Sequence, residues 1–249
     1  MEITYIGHSG FLLNTNDAYF LFDYYTGHIP EMDRDKPLVV FVSHKHKDHF
    51  NPVIFGLADK YPHILFILAK GVPYKNLSVK FSVTMAKWQE LCPGDFKNIM
   101  LVKKDISEEV MLDNGKKLLI RTLRSTDEGV AFTIRYNDRN YYHAGDLNIW
   151  AFEEETEEYN RNMEQMYIKE MEKLKYIKPD VAFVPLDPRL GSNSYKGLLT
   201  FLSYTDCQYI FPMHCWENYG IIGEFIKNSP EYKDRIVKIT KKNTTFQLL

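Results

Sequence analysis

The stretch Leu38-Val39-Val40-Phe41-Val42-Ser43-His44-Lys45-His46-Lys47-Asp48-His49 decides how this chain is read. It begins as an unbroken apolar run of the length of a buried strand and ends in a cluster of side chains able to bind a metal ion. A strand that releases the chain into a loop here displays those side chains at its end, where rigid scaffolds carry their reactive groups. Side chains alternate at period two, so an extended run sends His44, His46 and Asp48 to one side, and a turn at Asp48 brings His49 round to a second ion. Imidazole nitrogen combined with carboxylate oxygen suits zinc, manganese or iron. A solvated His/Lys loop would need no such spacing, so metal binding is the expectation.

Two further stretches put the same kind of chemistry after a strand: Tyr141-Tyr142-His143-Ala144-Gly145-Asp146 and Tyr209-Ile210-Phe211-Pro212-Met213-His214. With the H-x-H-x-D-H run they resemble the signature of the metallo-β-lactamase-fold hydrolases, in that family's order, from Met1 to about His214. The opening Ile3-Thr4-Tyr5-Ile6-Gly7-His8-Ser9-Gly10-Phe11-Leu12-Leu13 is similar to the first hairpin of the branch that includes the ascorbate-6-phosphate lactonases. Pro179-Asp180-Val181-Ala182-Phe183-Val184-Pro185-Leu186 is similar to the segment before the final histidine in that branch.

The resemblance implies an α/β fold, a four-layer αββα sandwich, and a centre of two divalent ions. His44 and His46 would hold the first, Asp48, His49 and His214 the second, and Asp146 would bridge them. The family's third histidine on the first ion is absent: the corresponding loop reads Leu123-Arg124-Ser125-Thr126-Asp127-Glu128-Gly129-Val130. Asp127 is the expected replacement and Glu128 the alternative. A carboxylate there lowers the charge of the site by one and hardens it, favouring manganese or iron over zinc; with neither, the first site is weak or empty. The implied reaction is hydrolysis by a hydroxide shared between the ions, with Asp48 orienting it and shuttling a proton.

Other residues flank these positions. His8 is either hydrogen-bonded to a ligand or water, or a turn histidine without a role. Arg189 either grips a substrate carboxylate or phosphate or is locked by Asp187 in a structural ion pair. Ser192-Asn193-Ser194 reads as a helix cap. Trp150 and Trp216 follow Asp146 and His214 closely, as an aromatic wall of the pocket or as core packing. Cys215, beside His214, reads as a packed thiol rather than a ligand.

At 249 residues, with 45% hydrophobic and 26% charged content, the chain suits one soluble domain over residues 1–249. Neither a repeat nor a Gly/Ser linker divides it. A net charge of −2 offers no broad basic surface for nucleic acid. No apolar run approaches the roughly 20 residues that cross a bilayer, and no signal peptide is read at the N-terminus. The three cysteines, Cys92, Cys207 and Cys215, form no disulfide pattern, which fits a reducing cytoplasm. The expected partner is a small-molecule substrate, with no nucleic acid or membrane, and a homo-oligomer is compatible.

Strands are expected at Glu2–Tyr5, Phe11–Asn14, Tyr19–Asp23, Leu38–Ser43, Ile64–Leu68, Ile99–Val102, Lys117–Thr122, Gly129–Tyr136 and Arg139–His143. Later ones are expected at Val181–Val184, Tyr209–Phe211, Val237–Thr240 and Thr244–Leu248. Ala151–Lys178 has the three- and four-residue apolar spacing of an amphipathic helix, and shorter helices are expected near Tyr195–Leu202 and Gly220–Asn228. The function expected is metal-dependent hydrolysis of a small, anionic ester, lactone or phosphoester. The alternatives are a tRNA-processing type of phosphodiesterase or nuclease, an iron-dependent oxidoreductase, or a metal-holding protein without turnover.

Overall fold

A computed structural model describes residues 1–74 and 98–248, so Cys92 lies outside the described residues. In chain order the strands are β1 (Glu2–Gly7), β2 (Gly10–Asn14), β3 (Tyr19–Phe22), β4 (Leu38–Val42), β5 (Ile64–Ala69) and β6 (Ile99–Val102). There follow β7 (Ser107–Met111), β8 (Lys117–Arg124), β9 (Val130–Tyr136), β10 (Arg139–His143), β11 (Val181–Pro185), β12 (Tyr209–Met213) and β13 (Thr244–Gln247). The described α-helices are α1 (Glu157–Leu174), α2 (Lys196–Tyr204) and α3 (Gly220–Asn228). The class is mixed α/β with two sheets, as expected from the sequence.

The chain divides into two compact units. The first comprises Met1–Val102, Met111–Lys116 and Lys242–Leu249. Its sheet has the order β13-β1-β2-β3-β4-β5-β6, antiparallel from β13 to β3 and parallel from β3 to β6. β4 lies between two parallel neighbours, and every one of its residues is 0% exposed. Burial on both faces explains why Leu38–Val42 is continuously apolar rather than alternating. β3 and β4 run side by side, so the loops leaving their carboxyl ends, at Asp23 and at Ser43–His44, emerge together.

The second unit comprises Lys103–Val110 and Lys117–Lys241. Its sheet has the order β12-β11-β10-β9-β8-β7, with β8, β9 and β10 antiparallel and β10, β11 and β12 parallel. Pro212 can sit in β12 because that strand is at the sheet edge, where a missing backbone N–H costs little. The parallel ends of β10, β11 and β12 release Asp146, Asp187 and His214 within a few residues of the sheet.

Three expectations need correction, and one strand was not expected. The long helix is shorter than Ala151–Lys178: the Thr156 hydroxyl accepts the Tyr159 N–H at 3.1 Å and caps α1, with Glu157 and Glu158 in the first turn. Phe152 and Ile177 therefore lie outside the helix, while Met163, Tyr167, Met171 and Leu174 form its buried stripe. Val237–Thr240 is not a strand; Val237 donates to Ile210, and the pairing found there among the described residues is a bridge between Ile210 and Ile236. β7 was not expected, because Ser107-Glu108-Glu109-Val110-Met111 is mostly exposed and shows no apolar alternation. Ser192-Asn193-Ser194 does not cap α2, whose N-cap is Tyr195 with no side-chain cap; Ser194 Oγ donates back to the Gly191 carbonyl instead.

Candidate metal centre

In the first unit the motif does not stay extended beyond Ser43. The His49 and Phe50 N–H groups both donate to the His46 carbonyl, at 3.0 and 2.9 Å, closing a turn over residues 46–49. This gathers the rings: His44 lies 4.6 Å from His46 and 4.3 Å from His49, centroid to centroid. His44 and His49 are buried, His46 is exposed, and Asp48 is 24% exposed. His8, at the turn after β1, lies 5.6 Å edge-on from His49 and brings Nε2 to 3.3 Å from Asp48 Oδ2. A register shift in the β1–β2 pairing between Tyr5 and Gly7 aims this turn. His8, Asp48 and His49 each offer a ligand atom within 4.8 Å of the others, and so do His44 and His46.

Sequence reading missed Asp23. Its carboxylate is 0% exposed and accepts the Ser43 N–H at 2.7 Å, the Ser43 hydroxyl at 2.5 Å and His49 Nδ1 at 2.8 Å. The Ser43 hydroxyl donates to Asp23, so at 2.9 Å its oxygen is left to accept from His44 Nδ1. Both rings therefore carry their proton on Nδ1 and present a lone pair at Nε2, the arrangement found where imidazole binds a metal. Asp23 also lies within 4.8 Å of ligand atoms of His44 and His49, but its oxygens are committed to orienting them. The available signal was its place at the end of an apolar strand, Tyr19-Phe20-Leu21-Phe22-Asp23.

The second unit repeats the device. His214 Nδ1 lies 2.9 Å from Asp187 Oδ2, and Nε2 lies 3.4 Å from Asp146 Oδ1. Burial works against ionisation of Asp187, but hydrogen bonds from His214 and Arg189 overcome it and hold the carboxyl down at about 2. An ionised Asp187 makes His214 Nδ1 the donor, so Nε2 again carries the lone pair. Arg189 meets Asp187 side-on, with Nε 3.0 Å from both oxygens and Nη2 2.6 Å from Oδ2. Trp150 is buried, donates from Nε1 to the Asp146 carbonyl at 2.8 Å and stands edge-on to His214 at 5.5 Å. Trp216 is 43% exposed and lies edge-on to His214 at 5.6 Å.

Thr126 ties the Asp127 loop to the Asp146 loop: its hydroxyl donates to the Asn148 carbonyl at 2.5 Å and accepts the Asn148 N–H at 3.0 Å. Asp127 is exposed, its N–H donating to Ser125 Oγ at 3.1 Å, and Glu128 is half-buried. Cys215 is a packed thiol: its sulfur faces the Met213 carbonyl at 3.6 Å, and burial pushes its pKa well up. His8, Asp23, His214 and Trp216 all have positive φ (53°, 39°, 63° and 49°), a left-handed backbone that non-glycine residues adopt at a cost of about 1–3 kcal/mol. Such strain gathers where function over-determines the backbone.

These donor sets fit a divalent ion of borderline softness: neutral imidazoles with fixed lone pairs, accompanied by carboxylates. Comparison with known proteins agrees. A curated UPF0173 metal-dependent hydrolase of Opitutus terrae is 30% identical over 160 residues, 61% of this chain, and the chain spans 65% of that relative. Igni18, a metallo hydrolase of the archaeon Ignicoccus hospitalis, superposes with a TM-score of 0.61 at 17% identity, covering 100% of this chain and 99% of its own. CmlA, a diiron β-hydroxylase of Streptomyces venezuelae, also gives 0.61, at 10% identity, covering 99% of this chain and 54% of its own. At such identities the structures speak for the fold alone, and they span hydrolytic and oxidative chemistry. The model of the beta-lactamase superfamily domain matches residues 2–162, which is most of the chain and includes every strand from β1 to β10; the chain belongs to the beta-lactamase superfamily.

Proposed function

We propose that residues 1–249 act as a single metallo-β-lactamase-fold domain, a metal-dependent hydrolase of a small, anionic ester, lactone or phosphoester. The observation that carries this reading is that His44, His49 and His214 all have Nδ1 tied to an oxygen acceptor, so that each offers Nε2 as a ligand. His44, His46 and Asp146, with Asp127 as the further ligand, would hold one divalent ion, and Asp48, His49, His214 and Asp146 the other. Bound ions would supply an activated water and a polarised electrophilic oxygen, since coordination can bring the pKa of water from about 15.7 to about 7.

The chain's own residues do the rest. Asp48, partly exposed and supported by His8, would orient the attacking water and hold its proton on a carboxylate oxygen. Lys45 and Lys47, exposed on either side of His46, favour an anionic substrate. The likeness of the opening hairpin and of Pro179–Leu186 to the lactonase branch supports a lactone or ester. A cytoplasmic location is consistent with the absence, among the described residues, of any helix long and apolar enough to cross a membrane.

The test is metal analysis of the purified protein, followed by a panel of lactones, phosphoesters and phosphodiesters on zinc- and manganese-loaded samples. Two ions per chain and turnover of a small anionic ester are expected. A single iron with visible absorbance would move the reading to redox chemistry, and a protein that takes up no metal would end it.

A further inference from the structure

We propose that Arg189 is a positioning residue that acts on His214 through Asp187, with Trp216 clamping the pair. The three form a guanidinium–carboxylate–imidazole relay that fixes which nitrogen of His214 is offered to a metal ion. The inference rests on reading His214 as a metal ligand.

The relay begins in the sheet. β11 and β12 are parallel neighbours, and the Leu186 N–H donates to the Met213 carbonyl at 2.8 Å just beyond them. The residues that follow each strand, Asp187 and His214, are therefore delivered side by side. Asp187 is 0% exposed, and a carboxylate buried so completely is costly unless its charge is matched and its oxygens are hydrogen-bonded. Arg189 does both. Its backbone N–H reaches Oδ1 at 2.8 Å, Nε reaches both oxygens at 3.0 Å, and Nη2 reaches Oδ2 at 2.6 Å. The Asp-Pro-Arg spacing makes this possible, since Asp187 is the N-cap of the short 3-10 turn Pro188–Asn193 in which Pro188 is the first residue.

Trp216 completes the clamp from the other strand's loop. Its indole N–H donates to Asp187 Oδ2 at 3.3 Å, and its ring lies 4.4 Å from the Arg189 guanidinium carbon. A cation over an indole face is held by the ring quadrupole, most strongly when shielded from water. Both carboxylate oxygens are thereby committed, and Asp187 cannot rotate away from His214 Nδ1 without breaking several bonds. The same geometry argues against Arg189 as the substrate's anion grip: the Nε–Nη2 edge that takes a carboxylate or phosphate side-on is already filled by Asp187. Sequence alone left those two readings open, and the fork geometry favours the structural one and gives it a purpose.

The test pairs a tautomer measurement with a metal titration. In metal-free protein labelled with ¹⁵N-histidine, wild-type His214 should show the Nδ1–H tautomer alone. Arg189→Ala should convert it to a mixture and lower zinc affinity about 10–100-fold, read by competition with a chromophoric chelator. Arg189→Lys, which keeps the charge without the fork, should fall between. Trp216→Phe, which keeps the ring under the guanidinium but loses the indole N–H, should shift both readouts by less. If Arg189→Ala does not fold, the last two variants decide. Unchanged tautomer and unchanged zinc affinity in folded variants overturn the relay, as does a rise in KM for an anionic substrate as the only effect. A wild-type protein that binds neither zinc nor manganese overturns the metal reading instead, and the tautomer measurement then decides the relay by itself.

Discussion

Asp23 Oδ2 lies 2.8 Å from His49 Nδ1, and the same carboxylate accepts both the N–H and the hydroxyl of Ser43, which in turn accepts from His44. One buried acid thus sets the tautomer of two histidines in the motif. Asp23→Asn tests this sharply, because the amide has one acceptor oxygen where the carboxylate has two. At least one donor among His49 Nδ1–H, Ser43 N–H and Ser43 O–H must then face the new NH₂ group. A buried donor left unsatisfied costs about 1–3 kcal/mol, and for a chain of this size each kcal/mol moves the melting temperature by about 2–4 °C. The expected outcome is a lower Tm in calorimetry and a loss of zinc affinity of about 10–100-fold. A variant with wild-type zinc affinity would show that Asp23 does not orient these rings.

How much of this was legible in the sequence follows from what each residue interacts with. β4 and the histidine loop announce themselves because burial on two faces demands an unbroken apolar run, and ligands need fixed residue types. β10 and the Ile99–Val102 strand also match their expected bounds. Asp23 and Asp187 are different. Their roles lie in hydrogen bonds to His49 and His214, 26 and 27 residues away, and no local pattern records such a pairing. β7 was hidden because Ser107–Met111 is a mostly exposed edge strand, with little apolar side-chain burial to impose a period. The start of α1 was recoverable from Thr156 followed by two glutamates, an N-cap with an acidic first turn that the longer apolar spacing of Ala151–Lys178 masked.

The two described thiols should be inert in the folded protein. Burial pushes Cys207 up to about 12 and Cys215 higher still. The reactive species is the thiolate, so at pH 8 both are overwhelmingly protonated as well as shielded, and raising the pH to 9 gains little. Mass spectrometry after brief iodoacetamide treatment should find both unmodified in native protein and both modified in denaturant. Labelling of native Cys215 at the rate of a free thiol would show that the loop after His214 opens.

Gly197 should not tolerate a methyl group. Gly197 is in the first turn of α2, and a Cβ there would clash with Asn148 Oδ1. Asn148 is 1% exposed, and its backbone is bonded to Thr126, two residues after Asp146. Gly197→Ala should therefore cost about 1–3 kcal/mol by overpacking and push on the loop that carries Asp146. Adding Asn148→Ala should restore part of the lost stability, because the clashing amide is gone and its buried side-chain atoms have no hydrogen-bond partner among the described residues. Non-additivity of the two substitutions in thermal melts is the signature. Additive losses would mean that the helix, not the contact with Asn148, excludes the side chain.

The missing histidine gives the prediction that bears most on chemistry. Asp127 follows Thr126, whose hydroxyl bonds the Asn148 backbone, so the loop that carries Asp127 is fastened to the loop that carries Asp146. Asp127 itself is exposed. An oxygen in place of an imidazole makes the first site harder, so manganese or iron should support more activity than zinc. On the proposed reading, Asp127→Ala should lower manganese uptake from two ions per chain toward one, leaving the ion that Asp48, His49 and His214 would hold, and should remove most activity. Asp127→His should restore the second ion and move the preference toward zinc, because imidazole is the softer ligand. Glu128→Ala is the control and should leave both the stoichiometry and the preference unchanged. Two manganese ions and full activity in Asp127→Ala would rule out Asp127 as a ligand, and a loss in Glu128→Ala instead would transfer the role to its neighbour.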